Sequence, residues 1–342
     1  MSGAARRMGG VLWAGLAAAV FSVLPAWAQE KEVDLFFTGQ AYAALYPCLC
    51  PHEPDGGVAR RATALAQARA AHPGVLAVEA GATFASGAED QNAQNLELDN
   101  ARTDIYLDAL RAMGYDALLL SSQEFVFGTG FLKDRQAFPF VSSNTQGYGR
   151  PYIVKDVDGI KVGIVGATDA AAVAKGAQTW SAAAPALARE VRAARKEGAG
   201  VIVLLSALKP EEDAALLAAV PGIDVAINGA ASYGSVKESE VGGALYVSTW
   251  WQARKAGLLR LGVSDGKVRF LGLETIDLDA SVADDARVAA ALPQCLKDSD
   301  CAFHAGFVAG CDTQKGPRSG RCTYAEPAPL DVTIIVPKDR LS

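Results

Sequence analysis

The sequence predicts a layered α/β domain, and three observations carry that prediction: short apolar runs alternating with Ala-rich helical stretches, two Asp-Gly hairpin signals, and an ordinary globular composition. Fifty per cent hydrophobic and 20% charged residues over 342 positions exclude disordered, collagen-like and coiled-coil chains. Val33 to Phe37, Val75 to Val78, Ala117 to Leu120, Val201 to Leu205 and Val225 to Ile227 read as buried strands. Between them, Gly57 to Ala71, Leu96 to Met113, Ala183 to Glu197 and Pro210 to Val220 read as helices, the last opened by a proline whose fixed φ suits a first helical turn. Asp158-Gly159 and Asp265-Gly266 each sit between apolar runs and predict hairpins, both expected at the far end of a second sheet. A terminal helix is expected over residues 281 to 294, and a last strand over Val332 to Val336.

Residues 1 to 28 read as an export signal. Arg6 and Arg7 precede an apolar run from Val11 to Leu24, and Ala26-Trp27-Ala28 gives the small-x-small cleavage pattern. The run is shorter than the roughly 20 apolar residues of a spanning helix, so no membrane span is expected once the signal is removed. The Arg6-Arg7 pair leaves both general and twin-arginine export open. The expected organisation is therefore a signal over 1–28, a main domain over 29–280, and a C-terminal helix with a cysteine-rich tail over 281–342. Localisation is expected to be periplasmic or secreted. The formal net charge of −6 becomes more negative without the signal's two arginines, which excludes nucleic acid as a partner, because phosphate backbones are held by basic surfaces.

Six cysteines in an exported chain allow disulfides. Cys295, Cys301, Cys311 and Cys322 lie in a tail with little apolar content of its own, where covalent links would supply order. Their spacing favours Cys295 with Cys301 and Cys311 with Cys322, although four cysteines allow three pairings. Cys48 and Cys50 form a separate group in the loop after the first strand. A disulfide across one intervening residue closes a small strained ring that is readily reduced. The pair is better read as reactive, its thiolate favoured by a following helix N-terminus and by Arg60 and Arg61. Three uses stay open: a redox dithiol, a nucleophile carrying sulfane sulfur, or a soft-metal site for Cu(I) or Zn with His52 as third ligand. The alternative is structural: Cys48 and Cys50 each pair elsewhere, or one of them is buried and inert.

Several segments resemble, in order, the metallophosphoesterase domain of the periplasmic 5'-nucleotidase family, which also contains a sulfur-oxidation enzyme acting on a carrier cysteine. Thr38-Gly39-Gln40-Ala41-Tyr42 parallels T-N-D-x-H, and Gly56-Gly57 through Arg60-Arg61 to Thr63 parallels G-G-x-A-R-x-A-T. Val78 to Phe84 parallels L-D-A-G-D-x-F, and Ser121 to Gly128 parallels G-N-H-E-F-D-x-G. Leu205 to Leu208 parallels L-S-H-x, and Ile227 to Ser232 the final G-H-x-H. The resemblance implies a calcineurin-like four-layer sandwich, two mixed sheets flanked by helices. In that family Asp, His and Asn at the strand ends hold two metal ions that activate water. Here the corresponding positions are Gln40, Tyr42, Ala82, Ser122, Gln123, Ala207, Ala230 and Ser232. The sequence also resembles a branch with a cysteine or selenocysteine pair in the first loop.

Composition agrees with that departure, since the chain has three histidines, His52, His72 and His304. His72, before Pro73, reads as a helix C-terminal residue favoured there by the dipole. Glu124 and Glu79 are weak acid/base candidates near the expected cleft, Glu124 matching a glutamate that supports structure in the family. The expectation is a protein without nucleotidase activity that uses Cys48 and Cys50 for redox or sulfur-carrier chemistry. A non-catalytic binding module for a periplasmic redox or sulfur-carrier protein, and a divergent single-metal hydrolase, are the alternatives.

Overall fold

The computed structural model describes residues 30–48, 54–230, 238–296 and 308–325. The expected export signal, Cys50, His52, Ser232, Cys301, His304 and the expected last strand lie outside these residues.

The first half lays down β1 (Lys31–Thr38), α1 (Val58–Ala71), β2 (Leu76–Glu79), α2 (Leu96–Met113), β3 (Ala117–Leu119), α3 (Gly128–Lys133) and β4 (Phe140–Val141). There follow β5 (Tyr152–Val157), β6 (Ile160–Ala167), α4 (Ala171–Ala174), α5 (Ala183–Lys196), β7 (Ala199–Ser206), α6 (Pro210–Ala219) and β8 (Val225–Asn228). The chain then forms β9 (Glu238–Val241), β10 (Ala244–Ser248), β11 (Lys255–Ser264), β12 (Lys267–Asp277), α7 (Ala286–Ala291), β13 (Val308–Asp312) and β14 (Arg321–Ala325).

Two six-stranded mixed sheets result, ordered β12-β11-β1-β2-β3-β4 and β5-β6-β7-β8-β10-β9. Strand alternation explains how they stack. Leu35 and Phe37 of β1 meet Val203 and Ile227 of the second sheet in a core between the sheets, whereas Phe36 points to the opposite face and joins Leu65 of α1 and Leu110 of α2. On the far side Ile202 and Leu204 pack beneath Leu187 of α5 and Leu216 of α6. Both faces of each sheet are thus covered, which is why the central strands read as continuous apolar runs rather than alternating ones. Each fully buried Leu, Ile or Phe contributes about 1.5–3 kcal/mol of apolar transfer. The result is the expected four-layer sandwich.

The hairpins divide between the sheets. β5 and β6 edge the second sheet as expected, but β11 runs antiparallel along β1, so the Asp265-Gly266 hairpin edges the first. Gly257 shows why β11 fits there: it faces Phe37 across the pair, and a Cβ would lie 2.1 Å from the Phe37 ring.

Two expectations for the C-terminal region change. The helix is shorter than 281–294, starting at the Asp285 cap, whose carboxylate accepts from the amides of Arg287 and Val288. In the tail, Cys295 pairs with Cys311, not with Cys301. Cys311 and Cys322 do stand opposite each other in the β13–β14 hairpin. However, the Gln294 amide donates to the Gly320 carbonyl, which docks the chain after α7 on that hairpin and brings Cys295 to Cys311. Cys322 is also disulfide-bonded.

Candidate functional site

The C-terminal ends of the parallel strands surround a cleft of about 640 Å³. Gln40, Tyr42, Ala82, Ser122, Gln123, Ala207 and Ala230 line it together, contributed by the loops after β1, β2, β3, β7 and β8. The positions singled out from sequence that lie among the described residues therefore converge. Backbone bonds hold the first two loops to each other: the amides of Gln40, Tyr42 and Ala43 donate to the carbonyls of Gly81, Ala82 and Thr83. This arrangement requires left-handed backbone at Gln40, Tyr42, Ala43 and Ala82, with φ between 46° and 53°. Such strain in non-glycine residues concentrates where surrounding structure fixes a functional surface. Gly229 closes the floor, its Cα so near the end of β2 that a Cβ would lie 1.8 Å from the Ala80 carbonyl oxygen.

Four polar cleft side chains hydrogen-bond to the protein itself. Gln123 Nε2 donates to the carbonyls of Phe84, Ala85 and Ser86, and Gln40 Nε2 donates to Thr249 Oγ1 at 3.1 Å. Asp169 accepts from the amides of Ser122 and Ala171, and Glu212 caps α6 at the Lys209 amide. Asp169, Lys209, Glu212 and Trp251 were not singled out from sequence. A Thr-Asp step directly after the β6 run was the available signal for Asp169.

Glu124 and Glu79 lie beneath this surface, and both are fully buried. Glu124 Oε1 accepts from the Thr83 amide at 2.6 Å, while Oε2 accepts from the Ser121 amide at 2.6 Å and the Ser121 hydroxyl at 2.7 Å. It is the partner in a capping box that starts the 3-10 turn Ser122–Phe125. Burial raises its pKa, opposed by those hydrogen bonds. Glu79 accepts from Thr38 Oγ1 and faces the buried guanidinium of Arg61, which also donates to Tyr106. Burial pushes Glu79 up to about 7 against the opposing charge of Arg61 and the Thr38 hydrogen bond.

Cys48 opens onto a different cavity, of about 310 Å³, lined among others by Tyr46, Asp55, Arg102, Arg254 and Leu296. Its loop is closed at the base by a Pro47–Gly56 bridge and by the Cys48 amide donating to the Asp55 carbonyl. Cys48 is disulfide-bonded, with its sulfur 3.2 Å from Asp55 Oδ1. The expected support from Arg60 and Arg61 is not there. Arg60 donates to the carbonyls of Pro54 and Leu278, and Arg61 is held at Glu79 and Tyr106. The charges nearest the sulfur are instead the Asp55 carboxylate and the Arg254 guanidinium, 3.7 Å from Asp55 Oδ1.

His72 caps the C-terminal end of α1 and places Nδ1 2.9 Å from Asp34 Oδ2, far from the cleft along β1. No helix among the described residues is long and apolar enough to cross a membrane.

Comparison with known proteins agrees with this geometry. No family model matches the chain. In sequence it is 29% identical over 203 residues to the 5'-nucleotidase of Diplobatis ommata, a match covering 53% of this chain and 33% of that protein. In structure it superposes on the 5'-nucleotidase precursor of Thermus thermophilus with a TM-score of 0.65 at 23% identity, covering 76% of this chain and 57% of that one. The chain shares the fold of that 5'-nucleotidase. A second match, the sulfate thiohydrolase SoxB of Thermus thermophilus, has a TM-score of 0.62 at 16% identity and covers 78% of this chain and 60% of that one. The chain spans about a third of the length of the curated 5'-nucleotidase it matches.

Proposed function

We propose that this chain is an exported, periplasmic metallophosphoesterase-fold protein that does not hydrolyse nucleotides and acts instead through its Cys48–Cys50 loop in thiol-redox or sulfur-carrier chemistry. The observation that carries the first half is the donor set of the cleft. Seven of the positions aligned with family metal ligands converge there as Gln40, Tyr42, Ala82, Ser122, Gln123, Ala207 and Ala230. This set does not fit a dinuclear centre. Alanines offer no ligand atom, Gln123 has its amide nitrogen turned to three backbone carbonyls, and none supplies the negative charge or imidazole that the ions require. The nearby carboxylates of Asp169 and Glu212 accept from backbone amides, and these two oxygen donors come without the imidazoles of the family's set.

The second half rests on Cys48, whose sulfur lines a cavity in a loop closed by its own backbone bridge. The disulfide there favours a cycle between oxidised and reduced forms over a standing thiolate or a Cu(I) or Zn ligand. SoxB, as a sulfate thiohydrolase on the same fold, is consistent with sulfur chemistry. The partner would be a periplasmic redox or sulfur-carrier protein. A binding-module reading is favoured by the burial of Glu124 and Glu79, which leaves the cleft without either as a general base.

The test has two arms. Purified protein given Mn, Zn or Co should show no phosphomonoester turnover, and robust turnover would refute the first half. Under a redox poise series, wild-type protein should exchange its Cys48 disulfide with small thiols while Cys48→Ser and Cys50→Ser lose function and keep their Tm. Full function in both variants would leave the binding module as the correct reading.

A further inference from the structure

We propose that Glu32, Asp34 and His72 form a binding site for a Zn²⁺-type divalent transition metal at the end of the first sheet opposite the cleft. Glu32 and Asp34 are two residues apart on β1, so their side chains leave the same face of the strand. That is the face of Phe36, which α1 covers, and His72 is the residue that ends α1. One ligand atom from each of the three lies within 4.8 Å of the others, and among the described residues no other trio of His, Cys, Asp or Glu converges in this way.

Asp34 supplies a second, independent observation. Its side chain is 9% exposed, Oδ2 meets His72 Nδ1 at 2.9 Å, and Oδ1 is buried with no hydrogen-bond donor. With no hydrogen-bond donor and its nearest guanidinium nitrogen 3.9 Å away, this buried oxygen keeps part of its desolvation cost, which a directly bound cation would lower. The last carbonyls of the 14-residue α1 add the negative end of its dipole at this point. A cavity of about 410 Å³ adjoins the trio and is lined also by Glu30, Asp158 and Lys31, whose ammonium is turned to the Asp158 carbonyl, leaving room for water to complete a coordination shell.

Arg260 is the resident counter-charge. It is the cross-strand partner of Asp34, bonded to Glu32 Oε2 at 2.7 Å, with its Nε 3.9 Å from Asp34 Oδ1. A metal must therefore share the two carboxylates with a guanidinium, which sets this apart from a high-affinity structural site. One imidazole nitrogen with two carboxylate oxygens selects Zn²⁺ and its borderline neighbours over Cu(I), which prefers sulfur. Bound there, the ion would tie the end of α1 to the start of β1.

The experiment uses the full mature chain, stripped with chelator, titrated with Zn²⁺ by calorimetry and with Co²⁺ by absorption spectroscopy. One ion per chain is expected, with a Co²⁺ spectrum lacking thiolate-to-metal charge transfer. The Cys48→Ser, Cys50→Ser double variant should bind as wild type. His72→Ala, a change at a partly exposed residue, should weaken binding at least tenfold, and Glu32→Gln should do the same. Absence of binding in wild type, or binding unchanged by His72→Ala, overturns the assignment, as does a thiolate charge-transfer band lost in the cysteine variant.

Discussion

Replacing Glu124 by alanine separates a structural carboxylate from a catalytic one. In the folded protein its two oxygens accept three hydrogen bonds, from the Thr83 amide, the Ser121 amide and the Ser121 hydroxyl, with the whole residue out of solvent. Ser121 Oγ in turn accepts from the amides of Ala82 and Gln123, so one carboxylate links the loops after β2 and β3. Glu124→Ala strands three donors in a buried site, and each unsatisfied polar group costs about 1–3 kcal/mol. Because the three share one network their losses do not add fully, and about 4 kcal/mol is expected. At about 2–4 °C per kcal/mol for a chain of this class, the Tm measured by circular dichroism should fall by roughly 10 °C. Glu124→Gln keeps the shape but turns one acceptor into a donor, and should lose about half as much. A Tm within about 2 °C of wild type in Glu124→Ala, with function abolished, would refute this account and make the residue a participant in chemistry.

Glu79 should impose a pH dependence on stability. Its folded pKa of about 7 lies above the ordinary carboxylate value of 4.5, so between those values the folded state binds more protons than the unfolded one. Stability is then fully present below pH 4.5 and declines as pH rises through about 7, by about 3 kcal/mol from this residue. Urea unfolding across that range should show the decline flattened in Glu79→Gln; an equal slope in the variant would contradict the assignment. Gly229→Ala should yield little soluble protein or a Tm lowered by more than about 10 °C, because the new Cβ meets backbone, the Ala80 carbonyl oxygen, and cannot be relieved by a rotamer change. Wild-type yield and Tm would mean that the β2 and β8 ends are not in close contact.

Much of the fold was legible because strand and helix periodicity is a local property. The α2 boundaries read from sequence coincide with the observed Leu96–Met113, where Asn95 caps one end and Gly114 turns left-handed at the other. The ordered motifs likewise point to Gln40, Ala82, Gln123 and Ala207 as neighbours around one cleft, where the fold does bring them together. What the residues themselves determine, then, is the element order and the chemistry available at each strand end. Tertiary structure alone decided which sheet the β11–β12 hairpin joins, that Cys295 meets Cys311, and that Arg61 lies with Glu79 instead of beside Cys48. It also decided that Glu32, Asp34 and His72 meet, 38 positions separating His72 from Asp34 in the chain. Pattern reports which face of an element is apolar, but the identity of the neighbour across that face depends on packing between segments distant in sequence, and charge and disulfide partners follow from that packing.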